Sequence, residues 1–411
     1  MGNIKIVAKG VAEESLVDRQ TRITWWSQET VSKARIAVIG AGAIGNEVLK
    51  NLALIGVGNI FICDMDRIST SNLSRTVLFT RKDVGQYKAE VAAERVREMS
   101  VCEDVQVSYY VGDVIHGLGN GIFRQFDVIL GCLDNLETRM SVNKRCNLLQ
   151  LPYLDGGIWE LAWGLQVYHY PHSSCLACGI SAVELARERG IRYSCDAKKR
   201  KFIEEKKAPT IQISTASVGA MQVQEAIKIL HGMDVVYGRK YFFEGLNNNY
   251  EIIRIPSNPE CLYHESYDYV EETDWTNQVT LEEFLEWVSA QNRGKEYYVD
   301  ILFDYKFTTT GKCKTCGAEI TFYQPDFLTY TEDFYCEECK SRGDLAEGFA
   351  QSEDLTELRG SDERIAHLTL EQLGIPKAHI VTVRNCEDET DCRHYELSQD
   401  IQAVLGSIKR R

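Results

Sequence analysis

Arg35-Ile36-Ala37-Val38-Ile39-Gly40-Ala41-Gly42-Ala43-Ile44-Gly45 decides the fold. Its first five residues form a short, mainly apolar and β-branched run, the composition of a buried strand. A glycine turn follows, and beyond it Ile44, Val48, Leu52 and Ile55 recur at helical spacing. A second apolar run, Asn59-Ile60-Phe61-Ile62-Cys63, ends in Asp64-Met65-Asp66, so Asp64 lies 24 positions beyond Gly40. Strand, glycine turn, helix, strand and acid make a nucleotide-binding α/β unit. Gly40, Gly42 and Gly45 let backbone approach phosphate, the helix N-terminus offers free N–H groups, and the acid takes ribose hydroxyls. Taken alone, the pattern most often belongs to a nicotinamide-dependent dehydrogenase.

The residues that follow do not suit a flat apolar slot for a nicotinamide ring. Asp66-Arg67-Ile68-Ser69-Thr70-Ser71-Asn72-Leu73-Ser74-Arg75, Asp83-Val84-Gly85-Gln86-Tyr87-Lys88-Ala89 and Cys132-Leu133-Asp134-Asn135-Leu136-Glu137-Thr138-Arg139 would gather Asn72, Arg75, Lys88 and the carboxylate of Asp134. Cations with an isolated acid suit a triphosphate and its Mg²⁺. Over about residues 15–265 this set resembles the ubiquitin-activating-enzyme superfamily of ThiF- and MoeB-like adenylyltransferases, which includes activators of sulfur-carrier proteins. The resemblance implies ATP bound by Gly40, Gly42, Gly45, Asp64, Asp66, Asn72, Arg75 and Lys88, with Mg²⁺ on Asp134. It also implies a homodimer in which the arginine of an Arg-Gln pair crosses to the partner's nucleotide. Arg19-Gln20 matches that pair, with Arg22 in reserve.

At 411 residues the chain has room for two or three domains. Its formal charge of −14 argues against nucleic acid as the main partner. No apolar run reaches membrane-spanning length, and Met1-Gly2-Asn3-Ile4-Lys5-Ile6 has neither a signal-peptide core nor a myristoylation serine or threonine. With 14 cysteines and no export signal, thiols and metal are expected rather than disulfides, in a soluble cytoplasmic protein.

A helix is expected from Gln28 into Lys33 and another over Tyr87–Met99, with Lys88 in its first turn. Val105–Val107 and Phe126–Leu130 continue the sheet, which places Asp134 at a strand's carboxyl end, where open α/β sheets bind ligands. Arg139, on the next helix, is free to cap or to pair. Cys175-Leu176-Ala177-Cys178 and Cys261-Leu262-Tyr263-His264 offer four ligands for a tetrahedral Zn²⁺. The resembled family has a zinc at matching places but usually a fourth cysteine, so His264 is a departure. Between them a Lys- and Arg-rich segment, about 187–215, corresponds to the family's crossover loop over the adenylate. It holds one cysteine, Cys195, among cations that lower a thiol's pKa, which makes it the candidate thioester nucleophile. Ser217–Leu230 should be a helix closing the domain.

The chain therefore divides into an adenylation domain over 1–270 and a second unit over 271–411. Thr280 and Glu283 form a capping box flanked by Val279 and Phe284, and Thr369 with Gln372 repeats the device. With strands at Tyr297–Phe303, His379–Val383 and Tyr395–Leu397, this small α/β unit is similar to the ubiquitin-fold domain that recruits conjugating enzymes. Cys313-Lys314-Thr315-Cys316 and Cys336-Glu337-Glu338-Cys339 stand 19 residues apart, a zinc-ribbon signal over about 308–342 and a second Zn²⁺ site. The expected architecture is α/β: a Rossmann-like doubly wound sheet followed by a small ubiquitin-like domain with an inserted ribbon. The expected activity is that of a prokaryotic-style modifier-activating enzyme. It would adenylate a ubiquitin-like protein with a Gly-Gly C-terminus, form a thioester and pass it to a conjugating enzyme. An adenylate-only activator of a sulfur carrier or peptide is the alternative. A scaffold with a dead pocket is disfavoured by the intact Asp134, Lys88 and Arg75 set.

Overall fold

The computed structural model describes residues 15–180, 209–302, 304–346 and 350–411. Eight strands form the main sheet: β1 (Arg35–Ile39), β2 (Asn59–Cys63), β3 (Gln106–Tyr110), β4 (Val128–Gly131), β5 (Tyr153–Trp159), β6 (Ala162–Tyr168), β7 (Arg239–Glu244) and β8 (Asn249–Arg254). Their order is β3-β2-β1-β4-β5-β6-β7-β8. The strands from β3 to β5 are parallel and the rest antiparallel. β1, β2 and β4 are buried almost throughout, because helices cover both faces of a parallel sheet.

Helices Ala43–Ile55, Lys88–Met99 and Gln212–Leu230 pack one face through Val48, Leu52, Val91, Val96 and Val218. The other face carries Leu136–Leu148, the short helix Asn120–Phe123 and, from the far end of the chain, Ile401–Leu405. After β3 the chain crosses back to place β4 beside β1, so the topological switch point lies between the glycine turn of β1 and the Asp134 loop of β4.

The helix expected from Ser217 starts at Gln212. Its extra turn is polar and outside the apolar period, but Ser214 Oγ donates to Glu160 O at 2.8 Å and Gln212 Nε2 to Glu47 Oε1 at 3.1 Å. Tertiary partners hold that turn where the pattern is silent.

In the C-terminal unit β9 (Glu271–Thr273), β10 (Tyr297–Asp300), β14 (Glu357–Arg359), β15 (Ile380–Asn385) and β16 (Cys392–Leu397) form a sheet in the order β14-β10-β15-β16-β9. Its first and last strands, β9 and β16, lie side by side and parallel. The helix Leu281–Gln291 buries Phe284, Leu285 and Val288 against it. Thr280 and Glu283 form the expected reciprocal cap, at 3.2 and 3.3 Å. Thr369 and Gln372 make the same pair of bonds, yet no helix follows. Gly374, at φ +95°, and Pro376 stop the chain after one turn. Between β10 and β14 a three-stranded sheet is inserted, β11 (Phe307–Lys312), β12 (Glu319–Pro325) and β13 (Gln351–Leu355), in the order β12-β11-β13.

The last residues return to the main sheet. Ile401, Leu405 and Ile408 are fully buried with Ala37, Ile39, Phe61 and Ile129. Arg35 Nη1 donates to Lys409 O at 2.7 Å, and Arg411 N to Gln125 Oε1 at 2.8 Å. Among the described residues no helix is long and apolar enough to cross a membrane.

Candidate active site

The glycine turn sits at the carboxyl end of β1. A Cβ on Gly40, whose φ is +98°, would lie 2.4 Å from Cys132 O, and one on Gly45 would lie 2.0 Å from Gly40 O. Both glycines are demanded by packing of the turn against its own helix and the β4 loop. Gly42 differs, because a Cβ there would meet nothing within 4 Å. It is the N-cap residue of the 13-residue helix Ala43–Ile55 and caps it with no side chain, so the space over the helix N-terminus is open at Gly42.

From this turn a chain of contacts runs outward. Asp64 Oδ2 accepts the Ala41 N–H at 2.7 Å, and its Oδ1 accepts that of Asp66 at 2.8 Å. Burial raises the Asp64 pKa, opposed by the Lys88 charge and by those two N–H bonds. Asp66 O accepts the Lys88 N–H at 2.9 Å, and Asp66 Oδ2 holds the buried Lys88 Nζ at 2.7 Å. This acid explains a cation in the first turn of a helix, a place the helix dipole disfavours.

Asn72 Oδ1 accepts the Ser69 N–H at 2.9 Å within the turn Thr70–Ser74. Arg75 donates to Ser71 O at 2.7 Å. This loop is tied to the glycine turn by Asn46, which sequence reasoning missed. Its Nδ2 donates to Ala41 O at 2.8 Å and Gly42 O at 3.0 Å, while its Oδ1 accepts the Leu78 N–H at 2.9 Å.

Asp134 is exposed just past β4 and next to Asn135, whose Nδ2 lies 3.2 Å from its carboxylate. Two residues before it, Cys132 N donates to Ile39 O at 2.8 Å, which sets the loop beside the glycine turn. An exposed carboxylate in open surroundings fits Mg²⁺, which keeps waters and takes few protein ligands. Arg139 pairs rather than caps. Its guanidinium bonds the fully buried Asp155, Leu133 O and, at 3.0 Å, Gly156 O.

Arg19 is exposed on an arm at the other end of the glycine-turn helix, where Gln20 Nε2 donates to Ile55 O at 3.0 Å. Thirteen residues of helix put about 19 Å between that end and its own turn. Cys195 lies outside the described residues, as does most of the segment 187–215. The buried thiols Cys63, Cys132 and Cys146 are poor nucleophiles, since burial pushes each pKa well up.

Cys175, Cys178, Cys261 and His264 converge, as do Cys313, Cys316, Cys336 and Cys339, with the ligand atoms of each set within 4.8 Å of one another. Cys175 Sγ lies 3.9 Å from Cys178 Sγ and 3.8 Å from Cys261 Sγ, and Cys316 Sγ lies 3.7 Å from Cys336 Sγ. A tetrahedral zinc with Zn–S of about 2.3 Å needs sulfurs about 3.8 Å apart, so both sets fit it. Backbone N–H groups of Cys316 and Cys336 lower the Cys313 thiol pKa, toward the thiolate form a metal takes, while burial raises that of Cys339 beside it.

A family model described as the ThiF family matches residues 17–263, more than half of the chain. The chain belongs to the ThiF family. A Thermus thermophilus protein named sulfur carrier protein adenylyltransferase is 30% identical over 237 residues, 57% of this chain and 83% of that protein. The Dictyostelium discoideum SUMO-activating enzyme subunit 2 is 36% identical over 156 residues, 38% of this chain and 23% of that subunit. The solved structure of E. coli MccB with ATP superposes with a TM-score of 0.50 at 19% identity, covering 61% of this chain and 75% of that one, a likeness of fold. This ThiF-family chain thus spans most of one relative and less than a quarter of another.

Proposed function

We propose that the protein uses ATP to adenylate the C-terminal carboxylate of a small ubiquitin-like or sulfur-carrier protein. The observation that carries this reading is the contact chain Ala41–Asp64–Asp66–Lys88 at an open glycine turn, in a ThiF-family chain. Asp64 takes the ribose hydroxyls, while Gly42 and the free helix N–H groups receive phosphate. A carboxylate oxygen of the protein substrate attacks the α-phosphorus, the bond to the β,γ-diphosphate breaks, and pyrophosphate leaves. Lys88 and Arg75 balance the charge that develops, and Asn72 contributes a neutral amide to nucleotide binding. Asp134 would hold Mg²⁺, whose contribution is to neutralise phosphate charge. The position of Arg19, remote from its own turn, supports its service at the neighbouring site of a homodimer.

Beyond adenylation, Cys195 is the proposed acceptor of a thioester. The unit 271–411 is the proposed docking site of a conjugating enzyme, whose local concentration beside the loop it would raise. The likeness to a SUMO-activating subunit favours this route. The coverage of the Thermus thermophilus carrier adenylyltransferase favours a reaction that stops at the adenylate. Incubation with a Gly-Gly-ended carrier protein, ATP and Mg²⁺, followed by intact mass before and after reducing agent, separates them. A thiol-labile adduct lost in Cys195→Ala supports the thioester route, an adduct that survives the substitution removes Cys195, and an acyl-adenylate with no enzyme adduct supports the other route.

A further inference from the structure

Asp134 stands on an exposed loop with one neighbouring side-chain amide, so its direction is set by its backbone. That backbone is held from below. Arg139, one turn into the following helix, reaches back to the carbonyl of Leu133, the residue before Asp134. The same nitrogen donates to Gly156 O at 3.0 Å on β5, and the other bonds Asp155, whose second oxygen accepts the Tyr153 hydroxyl at 2.9 Å. Asp155 and Tyr153 are fully buried, and an arginine needs such a partner to leave water. From the opposite face Gln222 donates to Gly131 O at 2.9 Å and Leu154 O at 3.1 Å, closing the β4–β5 junction. The diverging ends of β4 and β5 are thus stapled by two side chains, and one grips the residue next to the acid. A lysine could not copy this, because it lacks the planar fork that reaches two carbonyls and a carboxylate together.

We propose that Arg139, seated on Asp155, is a positioning residue that aims the Asp134 carboxylate at the cation of the nucleotide. The inference rests on the reading of this crevice as an ATP·Mg²⁺ site. Its consequence is specific: loosening the clamp should raise the Mg²⁺ needed for nucleotide binding while leaving contacts at the glycine turn, Asp64 and Lys88 in place.

The test is equilibrium binding of ATP to the full chain at graded Mg²⁺, with thermal midpoints recorded alongside. Arg139→Gln alone leaves Asp155 buried and unpaired, so Arg139→Gln/Asp155→Asn is the variant that keeps the junction neutral; Arg139→Lys is the second. Both should need about tenfold more Mg²⁺ for half-maximal binding, the low end of effects from orienting partners of metal ligands. ATP affinity at saturating Mg²⁺ should stay within about threefold, well inside that tenfold effect. An unchanged Mg²⁺ requirement in the folded double variant overturns the inference while leaving the ATP site standing. So does a loss of ATP affinity at saturating Mg²⁺ as large as the Mg²⁺ effect. An unaltered protein that binds no ATP with Mg²⁺ removes both the site reading and the inference.

Discussion

At the residue scale the three glycines of the turn do different work, and substitution separates them. Gly45→Ala drives a Cβ into Gly40 O, so the turn must distort and both stability and ATP binding should fall. Gly42→Ala meets only open space and should fold with an unchanged thermal midpoint, yet bind ATP at least about tenfold more weakly, because the methyl occupies the approach to the helix N–H groups. Equal ATP affinity in Gly42→Ala would contradict the phosphate assignment. The placement of the glycines, Asp64, Lys88 and Asp134 around one end of the sheet was legible because their spacing is fixed by local strand–turn–helix geometry. Asn46 and Arg139 were not legible in the roles they play. Their partners are backbone carbonyls and an acid brought close only by the fold, and a carbonyl has no residue identity for a pattern to register.

At the element scale, legibility followed local rules and stopped where tertiary contacts decide. The Thr280–Glu283 box led into a helix as read. The same bonds at Thr369 did not, because a cap starts a helix only when enough residues follow to repay nucleation. The polar first turn of Gln212–Leu230 was invisible to the apolar period for the opposite reason. The inserted three-stranded sheet is small, and its cysteine set fits a zinc that could supply what its own core cannot. Elemental analysis should find two zinc per chain, by the two tetrahedral ligand sets. Cys313→Ser should lower that to about one, with far-UV signal from the main sheet retained. Full zinc content in Cys313→Ser would contradict the site.

At the scale of the whole molecule, the proposed division at about residue 270 is crossed by the chain's own end. Ile401, Leu405 and Ile408 complete the core beneath β1 and β2, and Arg410 and Arg124 flank the fully buried Glu396 that joins the two units. Leu405→Ala should cost about 2–5 kcal/mol in a urea titration. The loss should appear in the transition of the nucleotide-binding sheet, not in a separate C-terminal one. Two independent transitions, only the weaker one shifted, would show the units to be uncoupled. His379, whose Nδ1 faces the Asn120 N–H at 3.4 Å, sits at the same junction. Burial lowers its pKa to about 4, with Asp304 opposing and Arg145 and Lys144 reinforcing. An unfolded histidine titrates at about 6.5. Below that pH the unfolded chain takes up the proton first, so stability is full above it and drains as pH falls toward 4. His379→Asn should therefore lose less stability between pH 7 and pH 5 than the unaltered protein, by at most about 2 kcal/mol. Parallel losses in the two proteins would contradict the half-buried neutral imidazole.

The central claim is that the glycine turn seats ATP for attack by a protein's carboxylate. Isotope exchange between pyrophosphate and ATP, with and without a Gly-Gly-ended carrier protein, tests it most directly. Exchange should appear only with the carrier and Mg²⁺, and should vanish in Lys88→Ala and Asp134→Ala. Exchange that proceeds without any carrier, or that survives both substitutions, would contradict the account.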